Sequence, residues 1–565
     1  MTTIEAKRHS LAHLLGAAVK EIYGDEASLA IGPAIENGFY YDIDFPASIK
    51  IGEKELLKIQ GKMEELLPTW TSFEKEEVNE KKAQASFSTS NGANPFKKEL
   101  IDEIVSKGEP ITLYTSGNFT DLCRGGHVEN MNEIKKGSWK LTHVAGAYWR
   151  GSEKNPMLTR IYGLAFETKE ELENYAHNQE EAKKRDHRKL GKELELFTII
   201  DDVGPGLPLF YPKGALLRQL IEGFISEEQK KRGYEDIWIP HITKGKLYET
   251  SGHLDKYDAM YSPMVIDETD YYLKPMNCPH FMMLYGSRPH SYRDLPVRYT
   301  CTTTNYRYEK SGELSGLTRV RSLTQDDCHV FCENNQIEGE IELIIDMIKS
   351  VYSAFNLKNF YVRISLRDPK DKEKYLGGDE VWETAENALR ALMKNTGWKY
   401  VEALGEAAFY GPKLDFMFKD VLEREWQLST IQLDFNLPEK FDLTYVSKEG
   451  RQERPVVIHR AILGSTERFL GIMIEHYAGA FPLWLSPVQV KVLPIGEKHF
   501  TYSLKVLEAL QAANIRAEMD ASDETLGKKI RNAKTEKVPY SLVIGDKEVE
   551  GNKVTVESRD NGNQG

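Results

Sequence analysis

Residues 307–332 read RYEKSGELSGLTRVRSLTQDDCHVFC, and the architecture of the whole chain turns on this stretch. Ser311, Gly312, Ser315 and Gly316 make a turn-prone segment between two strand-like runs. If the second run is a half-buried strand, period-two alternation puts Arg319 and Arg321 on one face, leaning over a single ligand. Guanidinium groups match phosphate oxygens in a bidentate way that lysine cannot. A solvated hairpin with surface ion pairs would use the same residue types. Against that, Asp326, Asp327 and His329 follow at once on an apolar-flanked strand, where unpaired charge is costly. The stretch therefore predicts two strands joined by a phosphate-gripping loop.

Upstream, a helix over 216–232 leads into EDIWIPHI, a strand expected to end at Pro240, where proline removes a backbone donor. Lys274-Pro-Met-Asn-Cys278-Pro follows. Downstream, PVVIHRAILGSTERF (455–469) is a strand, a Gly-Ser turn and a helix with Arg468 in its first turn. A helix N-terminus with an arginine beside it is a good seat for a polyphosphate. After Pro487 the chain alternates strand, helix, strand, helix, strand, strand to its end, a small α/β domain of mixed sheet.

The N-terminal part carries a different constellation. His9 and His13 lie one turn apart on one helix face, and Cys123-Arg-Gly-Gly-His127 comes much later. Two readings compete for these four residues: a tetrahedral zinc site, or a metal-free cluster that activates water. GPAIENGFYYD (32–42) is a turn and a tyrosine-rich strand, and 142–162 reads as two strands around a polar turn. Between the modules, 169–194 is dense in charge and reads as a solvated bridging helix. Its Lys183, Lys184, Arg185, Arg188 and Lys189 offer contacts for RNA backbone.

Composition sets the outer bounds. The 565 residues are 40% hydrophobic and 28% charged, enough for three or four globular domains. A net charge of −13 argues against a bulk nucleic-acid binder, though not against a local basic surface. Five scattered cysteines make no disulfide framework, so a reducing cytoplasm is expected. No run is long enough to span a bilayer.

Taken together, these motifs resemble the threonyl-tRNA synthetases, a class II family. The Arg-x-Glu, loop, arginine pattern from Arg307 is similar to the second class II motif. The contexts MNCP, DDCHVF and VIHRAILGS are those of the family's zinc ligands. RHSLAHLLG, IGPAIENGFYYD, DLCRGGHV and GAYWRG occur in the order of its editing domain. The resemblance implies an α+β multidomain chain: an editing α+β domain over 1–165 and a helical linker over 166–195. A class II antiparallel-sheet catalytic domain over 196–485 follows, then an α/β anticodon-binding domain over 486–565. The last domain is expected to lack its final helix, and a small domain that often precedes the editing module is absent from this sequence. Within the fold, a prolyl or seryl type of synthetase is the rival reading; outside it, a synthetase-like RNA-binding regulator.

The resemblance also implies roles. Cys278, His329 and His459 hold one zinc with an open position. Arg307 holds the α-phosphate of ATP and Glu309 the adenine amino group. Arg319 takes further phosphate oxygens, and Arg468 packs over adenine and reaches the γ-phosphate. Gln427, Gln432 and Ser465 line the adenylate pocket. Asp327 takes the substrate hydroxyl, with Gln325 and Tyr410 beside the amino acid. His9, His13, Cys123 and His127 hydrolyse seryl-tRNA, with Tyr40, Lys97 and Asp121 assisting. In the threonyl family this second site works without metal. Glu548 is a candidate anticodon reader, and Glu557 stands where the family commonly has arginine. Partners implied are ATP with magnesium, L-threonine, tRNA(Thr) and a second copy of the chain.

Overall fold

Leu11, Leu14, Leu15 and Ala18 fall on one stripe at helical spacing and are fully buried, which is why residues Thr3–Tyr23 form α1. The computed structural model describes residues 3–89 and 92–565, which divide into two units, Met1–Glu180 and Glu181–Gly565. In the first, the α1 stripe shares a core with Phe39, Tyr41 and Ile43, the inward positions of β1 (Gly38–Asp44). Asn94 caps α2 (Pro95–Ser106), accepting the Phe96 and Lys97 amides. β2 (Ile111–Ser116) and β3 (Phe119–Leu122) make an antiparallel hairpin. β4 (Trp139–Tyr148) and β5 (Met157–Ala165) are the two expected strands, antiparallel to each other, with β5 also pairing β1.

The charged bridge is two helices rather than the one expected. α3 (Lys169–Arg185) stops because Asp186 caps α4 (His187–Glu193), accepting the Arg188 amide at 2.8 Å. The division between the units falls inside α3.

In the second unit, α5 (Pro212–Lys231) opens on proline, pre-set for the first helical turn. The strand expected to reach Pro240 is only β6 (Glu235–Asp236), parallel to β7 (Val297–Tyr306). Beyond Asp236 the Ile237 amide still reaches the Thr300 carbonyl at 2.9 Å, but Trp238 already stands 78% exposed. Between them, α6 (Cys278–Gly286) starts with Pro279 in its first turn. β8 (Ser322–Cys332) is followed by α7 (Ile337–Ala354), β9 (Phe360–Leu366), β10 (Tyr400–Leu404), β11 (Lys413–Lys419), β12 (Glu425–Asp434), β13 (Val456–Ala461) and α8 (Thr466–His476). The eight strands run β6-β7-β8-β13-β12-β11-β9-β10, antiparallel except at the two ends.

One face of this sheet is sealed. Ile341, Ile344, Ile348 and Val351 of α7 share a core with Cys328 and Val330 of β8. Burying each such aliphatic side chain stabilises by about 1.5–3 kcal/mol. Alternation then sends Gln325, Asp327 and His329 to the opposite face. Arg319 and Arg321, expected on one strand face, precede the strand. Ser315 and Arg319 close a tight turn on each other, and the Arg321 amide donates to the Gly206 carbonyl at 2.8 Å, so pairing with β7 begins only at Ser322.

The C-terminal part contains β14 (Val490–Pro494), α9 (Phe500–Ala512), β15 (Ala517–Met519), α10 (Leu526–Thr535), β16 (Tyr540–Ile544) and β17 (Thr555–Ser558). β15, β14 and β16 are parallel and β17 antiparallel, the mixed sheet that the alternation predicts.

Candidate active site

A cavity of about 290 Å³ opens on the antiparallel sheet of the second unit. It is lined by Cys278, Arg307, Glu309, Arg319, Gln325, Asp327, Tyr410, Gln427, Gln432, His459, Ser465 and Arg468. The expected catalytic and ATP-binding residues thus surround one space.

At one end three arginines converge. Arg307 lies 5.7 Å over the Tyr257 ring and donates to the Pro275 carbonyl at 3.3 Å. Arg319 donates to Glu309 at 2.9 Å. Arg468 donates through Nε to the Thr318 carbonyl at 3.0 Å. Burial, then Arg307 and Arg319 beside it, pull the Arg468 guanidinium below its ordinary value. Such a concentration of positive charge complements a polyphosphate. Ser465 caps α8, its Oγ accepting the Arg468 amide at 3.2 Å. Arg321 lies outside this group, donating to the Glu309 carbonyl and stacked 4.8 Å over Tyr308.

At the other end is a sulfur–imidazole group. His329 and His459 are cross-strand partners on β8 and β13, their ring centroids 4.4 Å apart, and Cys278 enters from the start of α6. One ligand atom from each falls within 4.8 Å of the others. Both nitrogens of His329 are buried and without a hydrogen-bond partner, and burial holds its imidazole well below the ordinary value, so it is neutral. Orphaned nitrogens facing a cysteine fit a metal of zinc character. Asp434 accepts from His459 Nε2 at 2.8 Å and so orients that ring. Sequence reasoning missed Asp434, although it stands in the stretch WQLSTIQLDF beside Gln427 and Gln432.

Between the two ends, Asp327 accepts from Asn277 at 2.9 Å. Burial pushes its carboxyl up to about 6 against that hydrogen bond. Gln325 accepts from Asn305 at 2.7 Å, and Tyr410 Oη lies 3.9 Å from Cys278 Sγ. Gln427 donates to the buried Asp415 at 2.7 Å, Gln432 to the Gly411 carbonyl at 3.2 Å. Lys413 also lines the cavity, paired with Asp415 at 2.9 Å, and was not foreseen.

The first unit holds the second cluster. His13 and His9 meet through Nε2 at 3.3 Å, and Cys123 Sγ lies 3.5 Å from His9 and 3.4 Å from His127. The His127 ring is stacked on Phe73 at 4.1 Å. A cavity of about 590 Å³ is lined by His9, His13, Lys97, Asp121 and Cys123. Burial lowers His13 to about 3 and His127 to about 2, and raises the Cys123 thiol to about 11. The set is therefore neutral at physiological pH, beside a buried Lys97–Asp121 ion pair. Neutral imidazoles so placed can accept a hydrogen bond from water and so orient it. Tyr40 is not part of the cluster. It faces the other side of β1, with the Arg160 guanidinium 3.9 Å over its ring. Tyr41, one residue on, donates to Asp121 instead. Glu548 is engaged in capping, accepting the Gly545 amide at 2.9 Å and the Thr555 hydroxyl at 2.8 Å.

Comparison with known proteins follows the same division. Residues 263–477 match the tRNA synthetase class II core domain (G, H, P, S and T), 489–565 the anticodon binding domain, and 111–162 the threonyl and alanyl tRNA synthetase second additional domain. The threonine–tRNA ligase of Rubrobacter xylanophilus is 50% identical over 557 residues, 98% of this chain and 85% of that one. The chain belongs to the threonine–tRNA ligases. A Thermus thermophilus threonine–tRNA ligase is 48% identical over 99% of this chain and 86% of its own length. The RNA-binding domain of threonyl-tRNA synthetase from Cryptosporidium parvum superposes with a TM-score of 0.63 at 40% identity, covering 66% of this chain and 93% of that one. Giardia lamblia prolyl-tRNA synthetase shares the fold, with a TM-score of 0.55 at 17% identity over 68% of this chain and 74% of its own. As a class II threonine–tRNA ligase, the chain is an aminoacyl-tRNA synthetase that carries an editing module. Among the described residues, no helix is long and apolar enough to cross a membrane.

Proposed function

We propose that this chain activates L-threonine with ATP, passes the threonyl group to tRNA(Thr), and hydrolyses seryl-tRNA(Thr) at a second site. The observation that carries the reading is one cavity with arginines at one end and Cys278 and His459 at the other, His329 lying buried beside those two. A triphosphate and a small hydroxylated amino acid fit those two ends. The amino-acid carboxylate attacks the α-phosphorus of ATP in line, and pyrophosphate leaves. Arg307, Arg319 and Arg468 neutralise the charge that develops, and positioning supplies most of the rest. Glu309 exchanges its arginine partner for the adenine amino group. Gln427, Gln432 and Ser465 border the adenylate. Asp327 accepts a hydrogen bond from the threonine hydroxyl, beside Gln325 and Tyr410. Cys278, His329 and His459 would hold one zinc per chain, supplying a Lewis-acid contact for the amino acid. Magnesium accompanies ATP.

His9, His13, Cys123 and His127 make up the hydrolytic site, with Lys97, Asp121 and Tyr41 fixing its polar wall. The domain limits proposed are 1–165, 166–195, 196–485 and 486–565, the last for the anticodon, and the working place is the cytoplasm. A second copy of the chain is the further partner proposed, with Trp238, 78% exposed beside the two-residue β6, among the residues it would cover. ATP–pyrophosphate exchange measured across all amino acids tests the reading. Threonine should drive it strongly; exchange driven by proline instead, or by no amino acid, would overturn it.

A further inference from the structure

His187 opens α4 and is buried against the active-site turn, and nothing above gives it a role. Its Nδ1 lies 2.6 Å from a carboxylate oxygen of Glu475, near the end of α8. Its Nε2 lies 3.0 Å from the amide nitrogen of Leu317. An amide can only donate, so Nε2 is the bare nitrogen and Nδ1 carries the proton directed at Glu475. One neutral tautomer satisfies both contacts. Asp186, His187 and Glu475 are also grouped like metal ligands. Yet Leu317 and Glu475 occupy both imidazole nitrogens, Arg424 takes the second Glu475 oxygen, and Arg188 holds Asp186. The group is a hydrogen-bonded brace and not a cation site.

What it braces is the turn over 315–319. Ser315 and Arg319 close this turn with backbone bonds of 3.1 and 3.2 Å, and Leu317 at its tip is fully buried. The next residue, Thr318, offers its carbonyl to Arg468, and the one after, Arg319, meets Glu309. The turn is shaped to the imidazole: Gly316 has φ +48°, and a Cβ there would lie 2.1 Å from His187 Nε2. Two residues before His187, Arg185 donates to the Glu475 and His476 carbonyls at 3.3 and 3.1 Å. One short bridge segment therefore grips both the turn and the far end of the helix that carries Arg468.

We propose that His187 is a positioning residue for ATP, holding Leu317 and through it the carbonyl that aims Arg468 and the backbone that places Arg319. The proposal rests on the ligase reading above. Its test separates the two contacts, because a glutamine carbonyl reaches the Nε2 position and an asparagine amide the Nδ1 position. ATP binding is measured by calorimetry, and KM for ATP by threonine-dependent pyrophosphate exchange, on the full chain. His187→Ala and His187→Asn should each weaken ATP by about tenfold, while His187→Gln should stay within about threefold of the parent. KM for threonine and zinc content should not move. Equal behaviour of the asparagine and glutamine variants, or unchanged ATP binding in both, would overturn the proposal. That pair decides even if the alanine variant fails to fold. ATP binding that responds as expected in a protein without threonine-dependent exchange would sink the ligase reading and leave the brace standing.

Discussion

Cys278, His329 and His459 use the same side-chain types as His9, His13, Cys123 and His127, yet the two groups sit in different surroundings. In the first, both nitrogens of His329 are sealed from solvent with no hydrogen-bond partner, and Asp434 orients His459. In the second, His9 contacts both His13 and Cys123, and Cys123 also contacts His127. Burial holds those imidazoles neutral beside the Lys97–Asp121 pair. Each set brings its ligand atoms close enough to hold a metal, and His9 Nδ1 and His127 Nδ1 are likewise buried without a hydrogen-bond partner. The surroundings differ, an orienting carboxylate at the first and a buried Lys97–Asp121 pair at the second. Threonine chemistry explains why one chain needs both. Valine lacks the hydroxyl, and a site with buried groups waiting for it rejects such an analogue by roughly 10⁴–10⁵. Serine keeps the hydroxyl and lacks only a methyl, worth about 1–3 kcal/mol, so it leaks through and must be removed afterwards.

The largest expected effect follows directly. Valine should support pyrophosphate exchange at roughly 10⁻⁴ of the threonine rate or less, while serine supports it within about 200-fold. Equal rates for the two would show that the first cluster does not read the hydroxyl. Next, Cys278→Ser should lose zinc and threonine activation together, the rate falling by roughly a hundredfold to a thousandfold. Metal analysis and exchange on the same sample check this, and normal activation without zinc would erase the contrast. Asp434→Ala should weaken zinc by about 10–100-fold in a chelator competition while leaving seryl-tRNA hydrolysis alone. The smallest effect lies outside both clusters. Glu557 sits half-buried on β17 opposite Ser541. Glu557→Arg should lower KM for tRNA and steepen its salt dependence by about one counterion, with threonine activation unchanged. No change in either would mean that this strand does not face RNA.

Much of this was legible through resemblance: the contexts DDCHVF and VIHRAILGS named His329 and His459, and the sheet makes the two direct partners. Asp434 escaped because a residue that orients a ligand leaves no spacing signature of its own. Tyr40 was named where Tyr41 is the residue that meets Asp121, although a signal existed: Phe39, Tyr41 and Ile43 alternate as the apolar face of β1, which turns Tyr41 inward. Arg321 was misplaced because the Ser315–Arg319 turn and the Gly206 carbonyl delay the strand to Ser322, a tertiary contact that no local pattern announces. The brace at His187 was invisible for the same reason, since it depends on Leu317 and Glu475, far along the chain.

The division of labour is tested most directly by charging tRNA(Thr) with serine, using the parent and a His9→Ala/His13→Ala double variant. The account predicts that the parent accumulates no seryl-tRNA, because the second cluster removes it. The double variant should accumulate seryl-tRNA at the rate of serine transfer, with threonine activation unchanged. Seryl-tRNA cleared by the double variant at the parent rate would contradict the account.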